Sequence, residues 1–436
     1  MAKDIPSAGR ELRTYSDSAI YPVERKDRVL GSLDMALLWA GSAIAVNVWY
    51  SGGYISPLGW VPGIAMILAG SFAGSVIFAL AGVVGIDLGV PSMVTMRPSF
   101  GVRGSQLISL LNYLALVGWT AWMIFINASA VERITTILFE CSAFPLWIVI
   151  CGALCTALAL IRAEGWKWFT RVSVVSLLLL SLVINALVFS NYGWDHLASR
   201  PAWGMDAGVA FDLALIIPLS WAPLAADYMR FSKSSKGGFF GALFGQGGTN
   251  SWFYVTGLAC ALAFGAYDPT LYVALISPLF GIIALLVIWL GTLTTTFLDI
   301  YSANMSLINV VPSLKEWQGS VVTGALGTVV AFLPWLDAFV GFLNIIGALF
   351  VPLFAILVAD YFIVRKRRYN VAELYLPKGA YWYRRGLNPL AFAVWLLGVA
   401  GYFFFLFATP WLGATLPTFL ATMLAFVALG GSGKSS

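Results

Sequence analysis

Charged residues are so sparse in this sequence that they punctuate it. No Lys, Arg, Asp or Glu occurs between Asp34 and Asp87, a gap long enough for two membrane-spanning helices of about 20 residues each. The stretch SPLGWVPG, Ser56–Gly63, supplies the turn between them. Further charge-free gaps run Arg103–Glu132, Glu140–Arg162, Arg171–Asp195, Asp212–Asp227, Lys236–Asp268, Asp268–Asp299, Glu316–Asp337 and Asp337–Asp360, and each holds one span. The gap Arg385–Lys434 holds two, divided near FATPWLG at Phe407–Gly413. The pattern predicts an all-α polytopic membrane protein with twelve transmembrane helices.

Composition agrees with that reading. Of the 436 residues, 60% are hydrophobic and 10% charged, against about 25% charged in ordinary soluble domains. Residues 1–32 are polar and densely charged, so the first apolar segment is expected to act as the insertion signal in place of a cleavable leader. Four cysteines, at 141, 151, 155 and 260, read as small buried or loop-flanking residues, with no histidine near Cys151 and Cys155 to complete a metal site.

Orientation follows from Lys and Arg. With the N-terminus in the cytoplasm, 23 of the 25 basic residues fall on the inner side, and only Arg133 and Arg200 face outward. Both termini are therefore expected in the cytoplasm, in the plasma membrane. The net charge of +5 follows topology and does not point to nucleic acid. The run RKRR, Arg365–Arg368, reads as a cytoplasmic stop signal.

Two spans are unlike the rest. The first, Leu37–Ile55, carries Gly41, Ser42, Asn47, Ser51, Gly52 and Gly53. The sixth, Phe211–Phe231, carries Pro218, Ser220 and Pro223. Proline removes a helix hydrogen bond, and backbone freed at membrane depth must find protein, water, ion or substrate. Interrupted segments at matching places in two halves point to a secondary transporter built from inverted repeats. The expected layout is a cytoplasmic segment 1–32, a first repeat 33–190 (spans one to five), an outer loop 191–208 and a second repeat 209–364 (spans six to ten). A basic inner loop 365–387, two appended helices 388–430 and a tail 431–436 follow.

Several stretches resemble the nucleobase–cation symport-1 family, which includes cytosine permeases and a bacterial hydantoin permease. They are VPSMVTMRPSFGVRGSQL (Val90–Leu107), VGWTAW (Val117–Trp122), ADYMRF (Ala226–Phe231), TTTFLDIYSA (Thr294–Ala303) and the long run Ala359–Pro389. The resemblance implies a five-plus-five inverted repeat with broken helices 1 and 6 and two appended helices. It also implies sodium- or proton-coupled import of nucleobases or related heterocycles. PLSWAPLAADYMRF leans towards carriers of the aminopyrimidine precursor of thiamine.

The family match implies that Trp119 stacks on the heterocycle, with Trp122 on the same face as a weaker candidate. Met123 stands where the hydantoin permease has an amide, so the substrate is expected to differ. In span six, Pro218, Leu219, Ser220 and Trp221 supply a second wall, with Pro218 where an aromatic is usual. Asn47 in span one is a further candidate. In span eight, Thr292, Thr295, Asp299, Ser302 and Ser306 step by 3, 4, 3 and 4 and form one polar stripe. A carboxylate at mid-membrane costs several kcal/mol unless partnered, roughly 2.5–3.5 on insertion scales, and marks a functional site. An acid at 299, where the family more often has a neutral residue, suits the N–H edge of cytosine, an aminopurine or an aminopyrimidine. Its structural alternative is an acid paired with Asn47 or a tyrosine.

The residue-wise match implies a sodium site of Gly41, Ile44 and Gly291 carbonyls with Thr294 and Thr295 hydroxyls. The alternative for both threonines is bonding back to their own helix. The expected function is a sodium-coupled symporter importing a nucleobase-like heterocycle by alternating access, with no other cofactor and as a monomer. The alternative is a proton-coupled importer of hydroxymethylpyrimidine, uracil, allantoin or hydantoin. A channel lacks a visible filter sequence. A membrane enzyme lacks an embedded histidine, a partnered cysteine or paired carboxylates, and the single histidine, His196, falls in an outer loop.

Overall fold

The computed structural model describes residues 21–161, 167–311, 313–376 and 378–430. The first twenty residues, Arg162 and the tail 431–436 lie outside the described residues. Among the described residues the chain is helical, with isolated bridges at Leu30–Ser232 and Arg384–Leu387 and no strand.

Seven helices are long and apolar enough to cross a membrane, and up to nine when each of two bent pairs counts as one span. Phe144–Ala159 and Thr415–Gly430 are shorter apolar helices of 16 residues. Glu316–Val330, in the ninth expected position, has 15 residues, short of the roughly 20 that a crossing takes. Each predicted position holds a helix, while the count of twelve crossings rests on the charge pattern.

Two expected boundaries move. The gap Asp268–Asp299 places the eighth span too early: it begins at Pro278 and runs through Asp299 to Val310. A carboxylate was read as a boundary, but it sits inside the helix. The expected outer loop 191–208 contains a short helix, Gly193–Ser199.

Span one is broken, but not at its glycines. Helices Ser32–Ala43 and Val46–Tyr54 meet at Ile44 and Ala45, the latter fully extended, and the axis bends by 66°. The glycine doublet serves packing instead. A Cβ on Gly52 would collide with the Tyr254 backbone, and one on Gly257 with the Trp49 backbone, so spans one and seven touch main chain to main chain.

Span six departs from expectation. Ala207–Ser220 and Ala222–Met229 continue as one span of 23 residues, bent by less than 40°. The missing proline N–H groups are absorbed by tighter turns. The Trp221 N–H donates to the Pro218 carbonyl (3.3 Å), and the Leu224 N–H to the Trp221 carbonyl (2.9 Å). A second sharp bend, of 60°, separates span seven (Ser235–Phe264) from the helix Pro269–Ile276.

Spans one, two (Trp60–Leu88), six and seven pack as one bundle. Span three (Val102–Phe139) packs along span eight and against Phe144–Ala159 and Glu316–Val330. Two amides tie spans three and eight: Asn112 donates to Ser306 (2.9 Å) and Asn127 to Thr296 (3.1 Å). Span ten (Trp335–Val358), Pro389–Ala408 and Thr415–Gly430 pack together. Buried Asp212 of span six anchors the last of these by accepting from the Ala414 and Thr415 N–H groups (2.5 and 3.0 Å).

Candidate functional site

Where the broken helix of span one faces spans three and eight, a cavity of about 470 Å³ opens, counting the space at its open side. The extended residues at the break open one wall. Ser42, Ala45 and Asn47 line it from the two half-helices. The Ala45 N–H bonds to the Ala43 carbonyl (3.0 Å), so the Gly41 carbonyl loses the partner it would have in an unbroken helix.

Span eight supplies Thr295 and Asp299. The expected stripe divides. Ser306 turns to Asn112 of span three, and Thr292 bonds back to the Ile288 carbonyl (2.7 Å). Asp299 is buried at 7% exposure, and its Oδ2 has no hydrogen-bond partner among the described residues. Neither expected structural alternative appears: among the described residues no hydrogen bond joins Asp299 to Asn47 or to a tyrosine, and Asn47 Oδ1 is itself buried and unpartnered.

Trp119 lines the cavity with Leu116 and Met123, one turn to either side. Its ring stands edge-on to Phe342 (5.2 Å) and Phe339 (6.3 Å), which hold its orientation. Trp122 does not line the cavity. It is fully buried, stacked on Phe339 at 4.3 Å and edge-on to Tyr50 at 5.0 Å, so it belongs to the core. Both rings touch the helix Trp335–Val358, but the three-residue step wedges the second between Phe339 and Tyr50 of span one, away from the cavity.

Span six contributes Ser220 and Trp221, with Ile217 and Leu224. Pro218 and Leu219 are buried and do not line the cavity. The Ser220 hydroxyl donates to the Ile217 carbonyl (2.7 Å).

Of the expected cation ligands, three converge. Thr294 and Thr295 both donate to the Gly291 carbonyl, at 2.7 and 3.2 Å. That is the back-bonding alternative, and it also gathers three neutral oxygens on one turn of span eight. Each hydroxyl keeps its own lone pairs while donating, whereas the Gly291 carbonyl is engaged by both. Thr295 shares the cavity with Ser42 and Ala45 at the break of span one, whereas Gly41, Ile44, Gly291 and Thr294 lie outside its lining.

Asn250 of span seven completes the lining and was missed from sequence. Its Nδ2 donates to the Gln246 carbonyl (3.0 Å), which leaves Oδ1 buried and unpartnered. The polar stretch GQGGTN at Gly245–Asn250 was the signal available for it. Three acceptor oxygens on three helices, of Asn47, Asn250 and Asp299, thus lack donors, and no Lys, Arg or His is among the described lining residues.

The sequence profile of a family described as permease for cytosine/purines, uracil, thiamine, allantoin matches residues 22–426. A hydantoin permease of Microbacterium maritypicum is 25% identical over 89% of this chain and 84% of its own length. The cytosine permease of Escherichia coli strain K12 is 26% identical over 77% of this chain and 76% of its own length. The inward-facing conformation of Mhp1 has the same fold, with a TM-score of 0.85 at 23% identity, covering 95% of this chain and 92% of that one. With the family match running over nearly the whole chain, the protein belongs to the permease family for cytosine, purines, uracil, thiamine and allantoin, the nucleobase–cation symport-1 family whose motifs its spans carry.

Proposed function

We propose that this permease is a sodium-coupled symporter importing an amino-bearing, nucleobase-like heterocycle, cytosine or a related aminopyrimidine or purine, by alternating access. The observation that carries the reading is the trio of buried, unpartnered acceptors at Asn47, Asn250 and Asp299 in the cavity that Trp119 also lines. A buried acceptor without a donor costs about 1–3 kcal/mol, more when charged. A ring that presents two or three N–H donors relieves that cost, and one that presents carbonyls adds to it. Trp119 offers a flat apolar surface to the ring, and Trp221 and Ser220 border it from span six.

Sodium is assigned to the Gly41, Ile44 and Gly291 carbonyls with the Thr294 and Thr295 hydroxyls. When bound, the ion supplies positive charge one turn from Asp299. The support is the carbonyl freed at Gly41 and the Thr295 hydroxyl, whose lone pairs share the cavity with the break of span one. Twelve spans, repeats at 33–190 and 209–364, a plasma-membrane location with both termini inside, and a monomeric state complete the proposal.

Uptake of labelled cytosine into cells expressing the protein tests it. Saturable accumulation that requires a sodium gradient, and that excess adenine or aminopyrimidine competes more strongly than uracil or hydantoin, is expected. Uptake that persists in choline but collapses with a protonophore would remove sodium in favour of proton coupling. Competition by uracil equal to that by cytosine would overturn the amino-edge reading.

A further inference from the structure

A second cavity, of about 1070 Å³ counting the open solvent at its mouth, lies on the face that the Lys and Arg bias assigns to the cytoplasm, and it shares no lining residue with the transport cavity. Four separate stretches enclose it: the segment before span one, the end of span two, the start of span seven and the loop after span ten. Backbone bonds fix this arrangement. The Leu30 N–H donates to the Phe231 carbonyl (3.0 Å), and the Lys233 N–H to the Leu30 carbonyl (2.9 Å). The Val23 N–H donates to the Gly89 carbonyl (2.8 Å). These contacts hold the side chains of Arg25 and Arg28 at the same cavity as that of Lys233.

The charges in this cavity do not cancel. Its carboxylate, Asp87, is fully engaged: Arg367 grips it with Nε (2.9 Å) and Nη2 (2.7 Å), and the Tyr361 and Ser235 hydroxyls donate to it at 2.7 and 2.5 Å. Arg25, Arg28 and Lys233 have no ion pair among the described residues. Arg28 Nη1 reaches the Ile86 carbonyl (2.5 Å), while its Nε is buried without a hydrogen-bond partner. Ser234 caps the 30-residue helix of span seven at this wall, adding the positive end of its dipole.

We propose that this cavity binds a phosphate-bearing anion. Three cations without an ion pair, one with an orphaned donor, call for a polyvalent anion with several acceptor oxygens, and phosphate offers short charge-assisted bonds to guanidinium and ammonium groups. A topology signal alone needs only basic residues near the surface. The basic residues Lys378, Arg384 and Arg385 of the same loop meet that need without lining this cavity. The anion is either a soluble phosphorylated molecule or the headgroup of an anionic lipid.

The test is titration of the full-length protein with sodium pyrophosphate at constant ionic strength, in nanodiscs of phosphatidylcholine, followed by tryptophan fluorescence and thermal shift. A parallel arm uses nanodiscs containing phosphatidic acid. Arg25→Gln/Lys233→Gln is the informative variant, because both side chains are exposed and make no described contact that folding needs. Lys378→Gln is the control. Saturable pyrophosphate binding that weakens at least tenfold in the double variant supports the soluble source. Stabilisation by phosphatidic acid alone, lost in the double variant, supports the lipid source. No saturable response in either arm, or equal responses from wild type and the double variant, overturns the proposal.

Discussion

At the residue scale, Asp299 and Trp119 carry the specificity argument, and their neighbours show how to test it. Asp299 has no cation or donor beside it among the described residues, so its removal leaves the fold with nothing broken and the substrate with one bond fewer. A hydrogen bond to a charged acceptor contributes about 1.5–3 kcal/mol, roughly a tenfold to hundredfold change in an equilibrium constant. Asp299→Ala is expected to raise the apparent KM for cytosine by that factor, with expression and melting temperature near wild type; an unchanged KM would remove Asp299 from the site. Trp119→Ala is expected to lose about 1–3 kcal/mol of stacking, again read as KM. Trp122→Ala makes the contrast. Its ring is packed among Phe339, Tyr50 and Phe125, so truncation creates a cavity and costs about 3–5 kcal/mol of stability. Sequence alone placed these two tryptophans on one face. Only tertiary packing separates them: both touch Phe339, but Trp122 is also covered by Tyr50 while Trp119 reaches the cavity. Asn250 was marked by the polar stretch Gly245–Asn250, but that its Oδ1 stays unpaired at the cavity depends on packing that the stretch does not show.

At the element scale, the helices were legible wherever charge marked their ends, because a buried charge in an apolar span is costly and therefore rare. The same rule misled where a charge is functional, as with Asp299 inside span eight. The break in span one was legible as a feature, but its position at Ile44–Ala45 was not. Gly52 and Gly53 looked like breakers, yet they are where two backbones touch. The prolines of span six produced a tightened turn where a break was expected. Asp212 shows what an acid can do for an element. It holds the N-terminus of Thr415–Gly430 through two backbone N–H groups. Asp212→Ala is expected to lower stability by about 1.5–3 kcal/mol, seen as a lower melting temperature in detergent, while the KM for cytosine stays unchanged. A parallel rise in KM would mean that the last helix shapes the transport cavity. Gly291→Ala gives the complementary outcome. A Cβ there collides with Leu177 of span five (Lys167–Asn191), beside the carbonyl that receives Thr294 and Thr295. Loss of sodium stimulation is expected before loss of cytosine binding, measured as uptake against sodium concentration.

At the scale of the whole molecule, orientation is the property that the charge pattern argues and that one native residue can report. The four cysteines are free; Cys141 is exposed, just past the end of span three at Phe139, and the other three are buried. With the N-terminus inside, the loop holding Cys141 faces outward and the loop 365–387 faces inward. A membrane-impermeant maleimide applied to intact cells is therefore expected to label the wild-type protein, and Cys141→Ser to abolish that labelling. In the Cys141→Ser background, Lys378→Cys is expected to react only after the cells are permeabilised. Burial keeps Cys151, Cys155 and Cys260 silent in both states. The reverse pattern, with position 378 labelled on intact cells and Cys141 only after permeabilisation, would invert the topology. It would then place the basic cavity at Arg25, Arg28 and Lys233 outside the cell, where a soluble phosphorylated molecule of the cytoplasm could not reach it.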